Sequence, residues 1–283
     1  MMNEPPRARP RRRPRLTRRG RLVLLMSTAL VAGAAVLVPV LLVDGDPPTV
    51  ERTALVVPEG RRAIQVYAAV DKALGAPPGA TQKAAVGARL KLPPAARDNP
   101  EGYLFPATYP INSSTTPRSL LSYMVNTANQ RFGAERIRAG AQRNGVTVYQ
   151  TVTIASIVQA EAETAADMGK VARVVHNRLA QGMPLQMDST LNYALNRSTL
   201  DTTQQDTKIN SPYNTYVRKG LPPTPIGNPG EEAMNAAIAP AQGDWLYFVT
   251  VAPGDTRFTN SYEEHQKNVE EFNEIRRSSP APG

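Results

Sequence analysis

The spacing of apolar residues along the chain predicts a mixture of helices and short strands. The run TALVV at residues 53–57 is typical of a strand, and the apolar positions between Ile64 and Leu74 recur every three or four residues, as on one face of a helix. Further helices are predicted at Leu120–Phe132, Glu135–Asn144, Ile154–Ala165, 167–182, Leu191–Leu195, 231–240 and 261–275. The segments EGYLFPATYPI and DWLYFVTVA predict extended strands. The fold class predicted from these patterns is α+β.

Clusters of proline and glycine divide this pattern into domains. APPGA and KLPPAARDNP predict loops that close a small α/β module at about residue 95, and the proline-rich segment 211–230 predicts a stiff loop that can hold a groove open. The predicted organisation is a basic cytoplasmic tail at 1–21, an apolar segment at 22–43, a linker at 44–53, the small module at 54–95, a larger α+β domain at 96–275 and a flexible tail at 276–283.

The apolar segment at 22–43 contains 22 residues without a charge. A helix of that length can cross about 30 Å of hydrocarbon. The alternative is a cleaved signal peptide, whose apolar region is usually about 7–15 residues and ends in small residues. This segment is longer and ends in VPVLLV, which favours an uncleaved anchor in the cytoplasmic membrane. The arginines before it predict a cytoplasmic N-terminus and an extracytoplasmic main domain.

The net charge of +9 belongs almost wholly to the first 21 residues. Nine arginines and one glutamate there give +8, so the rest of the chain carries only +1. A nearly neutral domain lacks the broad basic surface that binds a phosphate backbone, so no nucleic-acid partner is predicted. The chain has no cysteine and two histidines, which excludes disulfides and thiolate chemistry and offers no zinc-ligand pattern. No metal or cofactor is predicted.

Glu161 and Glu163, in the segment ASIVQAEAET, are the first candidates for chemistry. On a helix from Ile154 to Ala165, Glu161 follows Ile157 and Val158 on an apolar stripe, whereas Glu163 points roughly 200° away. A carboxyl group among apolar side chains loses solvation, which raises its pKa and lets it donate a proton near pH 7. The simpler alternative is that Glu161 borders the stripe and reaches solvent. Periodicity therefore selects Glu161 over Glu163 without establishing catalysis.

Five sequence blocks resemble a known family. They are EGYLFPATY, ASIVQAE, VVHNRL with GMPLQMDSTLNYAL, SPYNTY with GLPPTPIGNPG, and LYFV with a later EH pair. In this order, over about residues 55–272, they resemble the YceG-like family of endolytic murein transglycosylases, which also has a single N-terminal anchor. The resemblance implies a LysM-like subdomain at 54–95 and a YceG-like catalytic domain at 96–275.

The resemblance also implies a function and an acid. The chain would be a lyase that cleaves MurNAc–GlcNAc bonds in nascent peptidoglycan strands, leaves 1,6-anhydro-MurNAc ends and limits strand length, with peptidoglycan synthases as partners. The essential glutamate of the family corresponds to Glu161, and one carboxyl can act first as acid and then as base. Side chains suited to hydrogen bonding or stacking against sugars, as substrate-binding candidates, are Glu101, Gln186, Asp188, Tyr193, Tyr213, Asn214 and Tyr216.

Two alternative functions remain open from the sequence. A glycoside hydrolase would use Asp188 as a second carboxylate beside Glu161. A non-catalytic peptidoglycan-binding scaffold of the wall-synthesis machinery would need neither of these two carboxylates. The simpler explanations for the other candidates are that Asp188 caps the helix Leu191–Leu195, that Glu101 is a strand-edge charge, and that the histidines lie on helix surfaces.

Overall fold

The computed structural model describes residues 53–197 and 202–278, and it confirms the α+β class. These residues form nine α-helices, four β-strands and two short 3-10 helices. In chain order the helices and strands are β1 (Thr53–Val56), α1 (Ala63–Ala73), α2 (Ala80–Val86), β2 (Thr108–Ile111), α3 (Pro117–Phe132), α4 (Glu135–Arg143), α5 (Val148–Glu161), α6 (Ala165–Ala180), α7 (Asp188–Ala194), α8 (Glu231–Ile238), β3 (Tyr247–Ala252), β4 (Asp255–Thr259) and α9 (Tyr262–Ser278). The 3-10 helices are Pro94–Ala96 and Asp206–Lys208.

Helix α5 lies at the centre of the core. Its residues Thr151–Val158 are all buried, and α4, α6, α7 and α8 pack around it. A helix buried on all sides has no single apolar stripe, and its polar side chains must find partners inside the protein. The hydroxyl groups of Thr151 and Thr153 donate to the carbonyl oxygens of Thr147 and Tyr149, four residues earlier. The predicted one-sided stripe is therefore wrong for this helix.

The β-branched residues before Ile154 belong to α5 because a capping box starts the helix early. Thr147 Oγ1 accepts a hydrogen bond from the backbone N of Gln150 (3.1 Å), and Gln150 Oε1 accepts one from the backbone N of Thr147 (2.8 Å). This reciprocal pair satisfies two backbone donors that a helix start leaves free. The helix therefore begins at Val148, before the predicted first residue.

The strands form two separate antiparallel pairs. β1 pairs with β2, with Leu55 opposite Tyr109, and β3 pairs with β4, with Phe248 opposite Phe258. The turn between β3 and β4 contains Gly254 at φ +81°, a backbone conformation that favours glycine. Helices α6 and α9 pack against β3. β4 and α2 lie in segments where the sequence pattern predicted no element.

The pairing of β1 with β2 connects the N-terminal segment to residues beyond the predicted boundary at residue 95. The backbone N of Val57 extends this connection by donating to the carbonyl of Ala107 (2.9 Å). The described residues all lie within one compact unit. The division into modules at 54–95 and 96–275 stays a prediction.

Residues 225–230, at the end of the proline-rich loop, are buried and connect α5 to the segment after Glu101. Asn228 is fully buried, and its Oδ1 accepts a hydrogen bond from the backbone N of Leu104 (2.7 Å). The backbone N of Ile226 donates to the hydroxyl of Ser156 on α5 (3.0 Å). This end of the loop has no regular structure, as predicted, and it holds core elements together.

In the described part of the chain, no helix combines the length and the apolar character needed to span a membrane. The predicted basic tail at 1–21 and the predicted anchor at 22–43 lie outside the described residues.

Candidate active site

Glu161 is the last residue of α5. Ala162 is extended (φ −141°, ψ 142°), and Thr164 caps the next helix by accepting a hydrogen bond from the backbone N of Asp167 (3.1 Å). Threonine is a strong helix-start residue, so a new helix begins after this break. The predicted continuation of the helix beyond Glu161 is therefore wrong. Glu163 is exposed, as predicted, but it lies in the break and on no helix.

The carboxyl group of Glu161 packs against the first turn of α7. Ser189 donates two hydrogen bonds to Oε1, from its hydroxyl (2.6 Å) and from its backbone N (3.2 Å). Part of Glu161 remains exposed, but protein atoms crowd the carboxyl group itself. Burial raises the pKa of Glu161, the negative charge of Asp188 raises it further, and the two hydrogen bonds from Ser189 act in the opposite direction. The raised pKa favours the protonated acid.

Asp188 is the first residue of α7, and its side chain does not cap the helix, so the predicted capping role is wrong. Instead its Oδ1 accepts a 2.5 Å hydrogen bond from the hydroxyl of Tyr216. Burial and this bond to Asp188 raise the pKa of Tyr216, which keeps the hydroxyl protonated as a donor. The hydroxyl of Thr215 accepts from the backbone N of Met187 (3.0 Å) and lies 2.9 Å from that of Thr190. These bonds fix the first turn of α7 to the loop that carries Tyr216.

Arg178, on α6, orders the segment that leads into α7. It is buried, and its Nη1 donates to the carbonyls of Pro184 (2.9 Å) and Leu185 (3.0 Å) and to Oε1 of Gln186 (2.8 Å). Its Nε donates to the carbonyl of Leu246 (2.6 Å). A buried guanidinium needs such acceptors because desolvation is costly. Gln186, exposed and at φ +55°, is held beside the first turn of α7 by this cation.

Glu101 lies at the other end of α7 from Glu161. Its Oε2 accepts a hydrogen bond from the hydroxyl of Tyr193 (3.1 Å), and its Oε1 accepts one from the backbone N of Ala63 at the start of α1 (2.9 Å). Burial raises the pKa of Glu101 to about 7, although these bonds and the charge of Arg62 lower it. Glu101, Tyr193 and Arg62 line a cavity of about 490 Å³. A cavity of this size suits a small ligand or part of a larger one.

Tyr213 lies beside Tyr193 at the Glu101 end of α7, whereas Asn214 stabilises the loop that carries Tyr213. The ring centroid of Tyr213 is 4.9 Å from that of Tyr193. Asn214 is fully buried, and its amide donates to the carbonyls of Thr207 (3.0 Å) and Ile209 (2.8 Å). The structure therefore gives Asn214 a supporting role in the loop in place of the predicted contact with substrate.

Seven of the eight predicted site residues, all except Asn214, thus form two groups along one short helix. Glu161, Gln186, Asp188 and Tyr216 meet at the first turn of α7, and Glu101, Tyr193 and Tyr213 meet near its last turn.

Sequence reasoning missed Ser189 and Arg178. No pattern pairs Ser189 with Glu161, because the two residues are 28 positions apart. Arg178 did have a signal, since it follows Val171, Val174 and Val175 at helical spacing and so lies on an apolar face. A charge in that position is expected to be buried and to have several acceptors.

The histidines belong to the structural framework. His176 Nε2 lies 3.0 Å from the carbonyl oxygen of Ala237, and the ring of His265 stacks on Tyr247 with centroids 5.1 Å apart. Burial lowers the pKa of both imidazoles, which favours their neutral form. Within residues 53–197 and 202–278, no group of three or more acidic or histidine side chains is placed to hold a metal ion.

Comparison with known proteins identifies relatives by name. An endolytic murein transglycosylase from Bacillus subtilis strain 168 is 39% identical over 173 residues, which cover 61% of this chain and 48% of that protein. One from Streptococcus pneumoniae serotype 2 strain D39 is 37% identical over 191 residues, covering 65% of this chain and 33% of that protein. The chain thus spans about half the length of the first relative and a third of the second.

A solved structure and a family sequence model also match this chain. A crystal structure of a YceG-like protein from Listeria monocytogenes aligns with a TM-score of 0.69 at 30% identity, over 77% of this chain and 76% of that one. The sequence model of the YceG-like family matches residues 36–271. Because that match includes every element around Glu161 and most of the chain, the chain belongs to the YceG-like family.

Proposed function

We propose that this chain is an endolytic peptidoglycan transglycosylase that cleaves MurNAc–GlcNAc bonds with Glu161 as both acid and base. The observation that carries the proposal is the carboxyl group of Glu161, which is enclosed by protein and held at one oxygen by Ser189. The substrate class is supported by the two relatives that are named endolytic murein transglycosylases.

The environment of Glu161 suits both steps of a reaction that uses no water. The raised pKa favours the protonated carboxyl, which can give its proton to the glycosidic oxygen while the C1–O bond breaks and the electron pair of that bond goes to the oxygen. The C6 hydroxyl oxygen of the same muramyl residue then bonds to C1, and its proton passes to the carboxylate of Glu161. The product is a 1,6-anhydro-MurNAc end, and the acid is restored.

Asp188 is assigned to substrate orientation together with Gln186 and Tyr216. Its Oδ1 is already engaged by the hydroxyl of Tyr216, and its charge contributes to the raised pKa of Glu161. A hydrolase would instead use Asp188 to attack the sugar or to activate water, which would leave a reducing MurNAc end. The chemical form of the new end therefore separates the two enzymes.

The cavity beside Glu101 at the last turn of α7 is proposed to hold a further part of the glycan strand. Glu101, Tyr193 and Tyr213 provide hydrogen-bonding groups and aromatic faces there, as expected of a carbohydrate site.

We also propose that residues 22–43 anchor the chain in the cytoplasmic membrane, with the catalytic domain outside. The proposal is supported by 22 uncharged residues directly after a tail of net charge +8. In that position the enzyme would meet nascent glycan strands beside the peptidoglycan synthases, and its cuts would limit strand length.

The test is glycan cleavage by the purified full chain and by its Glu161→Gln variant. Uncross-linked peptidoglycan strands are the substrate, and mass spectrometry identifies the new ends. We expect anhydro ends from the wild type, none from Glu161→Gln, and wild-type yield from Glu163→Gln, the exposed acid two positions away. Reducing ends would support the hydrolase. Cleavage by neither the wild type nor the variant would support a scaffold.

A further inference from the structure

On the basis of the proposed function, we infer that Ser189 is a positioning residue of the reaction, which holds Oε1 of Glu161 as an acceptor and thereby assigns the transferred proton to Oε2. The known relatives' names and the family match say nothing about either oxygen. The assignment follows from the contacts of one side chain.

The two oxygens of Glu161 have different partners. Oε1 accepts from the hydroxyl of Ser189 at 2.6 Å and from its backbone N at 3.2 Å, whereas within the described residues Oε2 receives no hydrogen bond. A backbone N–H can only donate, so it cannot turn around to accept a proton from a carboxylic acid. A proton on Oε1 would therefore oppose the N–H of Ser189. The protonated acid is favoured with its hydrogen on Oε2, and Oε2 is the oxygen left for the substrate.

The same contact supports the second half of the reaction. After the proton has left Oε2, Glu161 is a carboxylate in a crowded site beside the negative Asp188, and both conditions oppose the charge. Ser189 stabilises that carboxylate by donating two hydrogen bonds to it, one from its hydroxyl and one from its backbone N. Oε1 remains bound throughout, so Oε2 keeps its place and can take the proton of the C6 hydroxyl.

Ser189 can hold this position because the turn that carries it is itself fixed. Its neighbour Asp188 is bound by Tyr216, and its neighbour Thr190 lies 2.9 Å from the hydroxyl of Thr215. The charged and titratable groups facing Glu161 across this contact are Asp188 and Tyr216, with Arg178 acting on Tyr216 from α6. None of these groups donates to Glu161, which leaves the donation to Ser189.

The test compares Ser189→Ala, which removes the hydroxyl, with Ser189→Thr, which keeps it. The kcat/KM of the full chain on uncross-linked glycan strands is measured from pH 5 to pH 9, with Glu163→Gln as control. We expect Ser189→Ala to lower kcat/KM at the pH optimum about tenfold. We also expect the fall of kcat/KM at high pH to begin about one pH unit higher, because the carboxylate of Glu161 loses a donor and its pKa rises. In Ser189→Thr, kcat/KM should fall at the same high pH as in the wild type and should stay within about twofold of the wild-type value.

A second measurement requires no turnover. The carboxyl ¹³C resonance of Glu161, assigned by its absence from Glu161→Gln, should titrate at higher pH in Ser189→Ala and at the wild-type pH in Ser189→Thr. A wild-type titration in Ser189→Ala, or a Ser189→Thr that behaves like Ser189→Ala at unchanged melting temperature, overturns the assignment. Failure of the proposed function is distinguishable, because it appears as missing anhydro ends in the wild type, while the ¹³C titration still decides the role of Ser189.

Discussion

Replacing Glu101 by glutamine should remove the part of the fall in folding stability between pH 5 and pH 8 that ionisation of Glu101 causes. Glutamine resembles the protonated acid, since its carbonyl oxygen can accept from the backbone N of Ala63 and its amide can donate to the hydroxyl oxygen of Tyr193. It cannot ionise. The variant therefore keeps both contacts and loses the titration.

The magnitude follows from the two pKa values of Glu101. Burial raises the value in the folded protein to about 7, against an ordinary 4.5 in the unfolded chain. The folded state binds the proton more tightly, so the free energy of unfolding contributed by Glu101 is greatest at low pH and falls as pH rises from about 4.5 to about 7. The full difference corresponds to about 3 kcal/mol. Most of it is lost between pH 5 and pH 8.

Urea unfolding of the full chain, followed by circular dichroism at pH 5 and pH 8, measures this effect. The free energy of unfolding of Glu101→Gln relative to the wild type should rise by about 2–3 kcal/mol between the two pH values. Glu163→Gln, at an exposed acid, should show no such rise. A difference between Glu101→Gln and the wild type that is the same at both pH values would refute the inference that Glu101 is a buried acid with a raised pKa.

Two further substitutions test the loop contacts. Asn228→Ala should lower the free energy of unfolding by about 2–4 kcal/mol, because the buried N–H of Leu104 loses its acceptor and a fully buried side chain is removed; a loss below about 1 kcal/mol in urea unfolding would contradict this. Tyr216→Phe should lower kcat/KM for glycan cleavage about tenfold, because Asp188 loses the donor that orients it. An unchanged kcat/KM would remove this pair from substrate orientation.

The elements that local signals define were predictable. The helix over 135–144 has its glycine stop and was placed within one residue, and α6 was found from its apolar periodicity. The end of α5 was not predictable, because the apolar pattern continues past Glu161 and conceals the break that Ala162 and Thr164 form. The one-sided stripe also failed for α5, since a helix surrounded by four others buries its threonines as well as its valines.

By itself the sequence selected Glu161 as the candidate acid and supplied the resemblance to the YceG-like family, since both depend on residue order and short spacings. Only the tertiary structure decided which groups surround the carboxyl of Glu161. Ser189 reaches Glu161 across 28 positions, and Tyr193 reaches Glu101 across 92. Hydrogen bonds act over about 3 Å, so the environment of each carboxyl depends on which distant segment the fold brings to it. Helix α7, seven residues long, carries both partners and gives the two acids their separate surroundings.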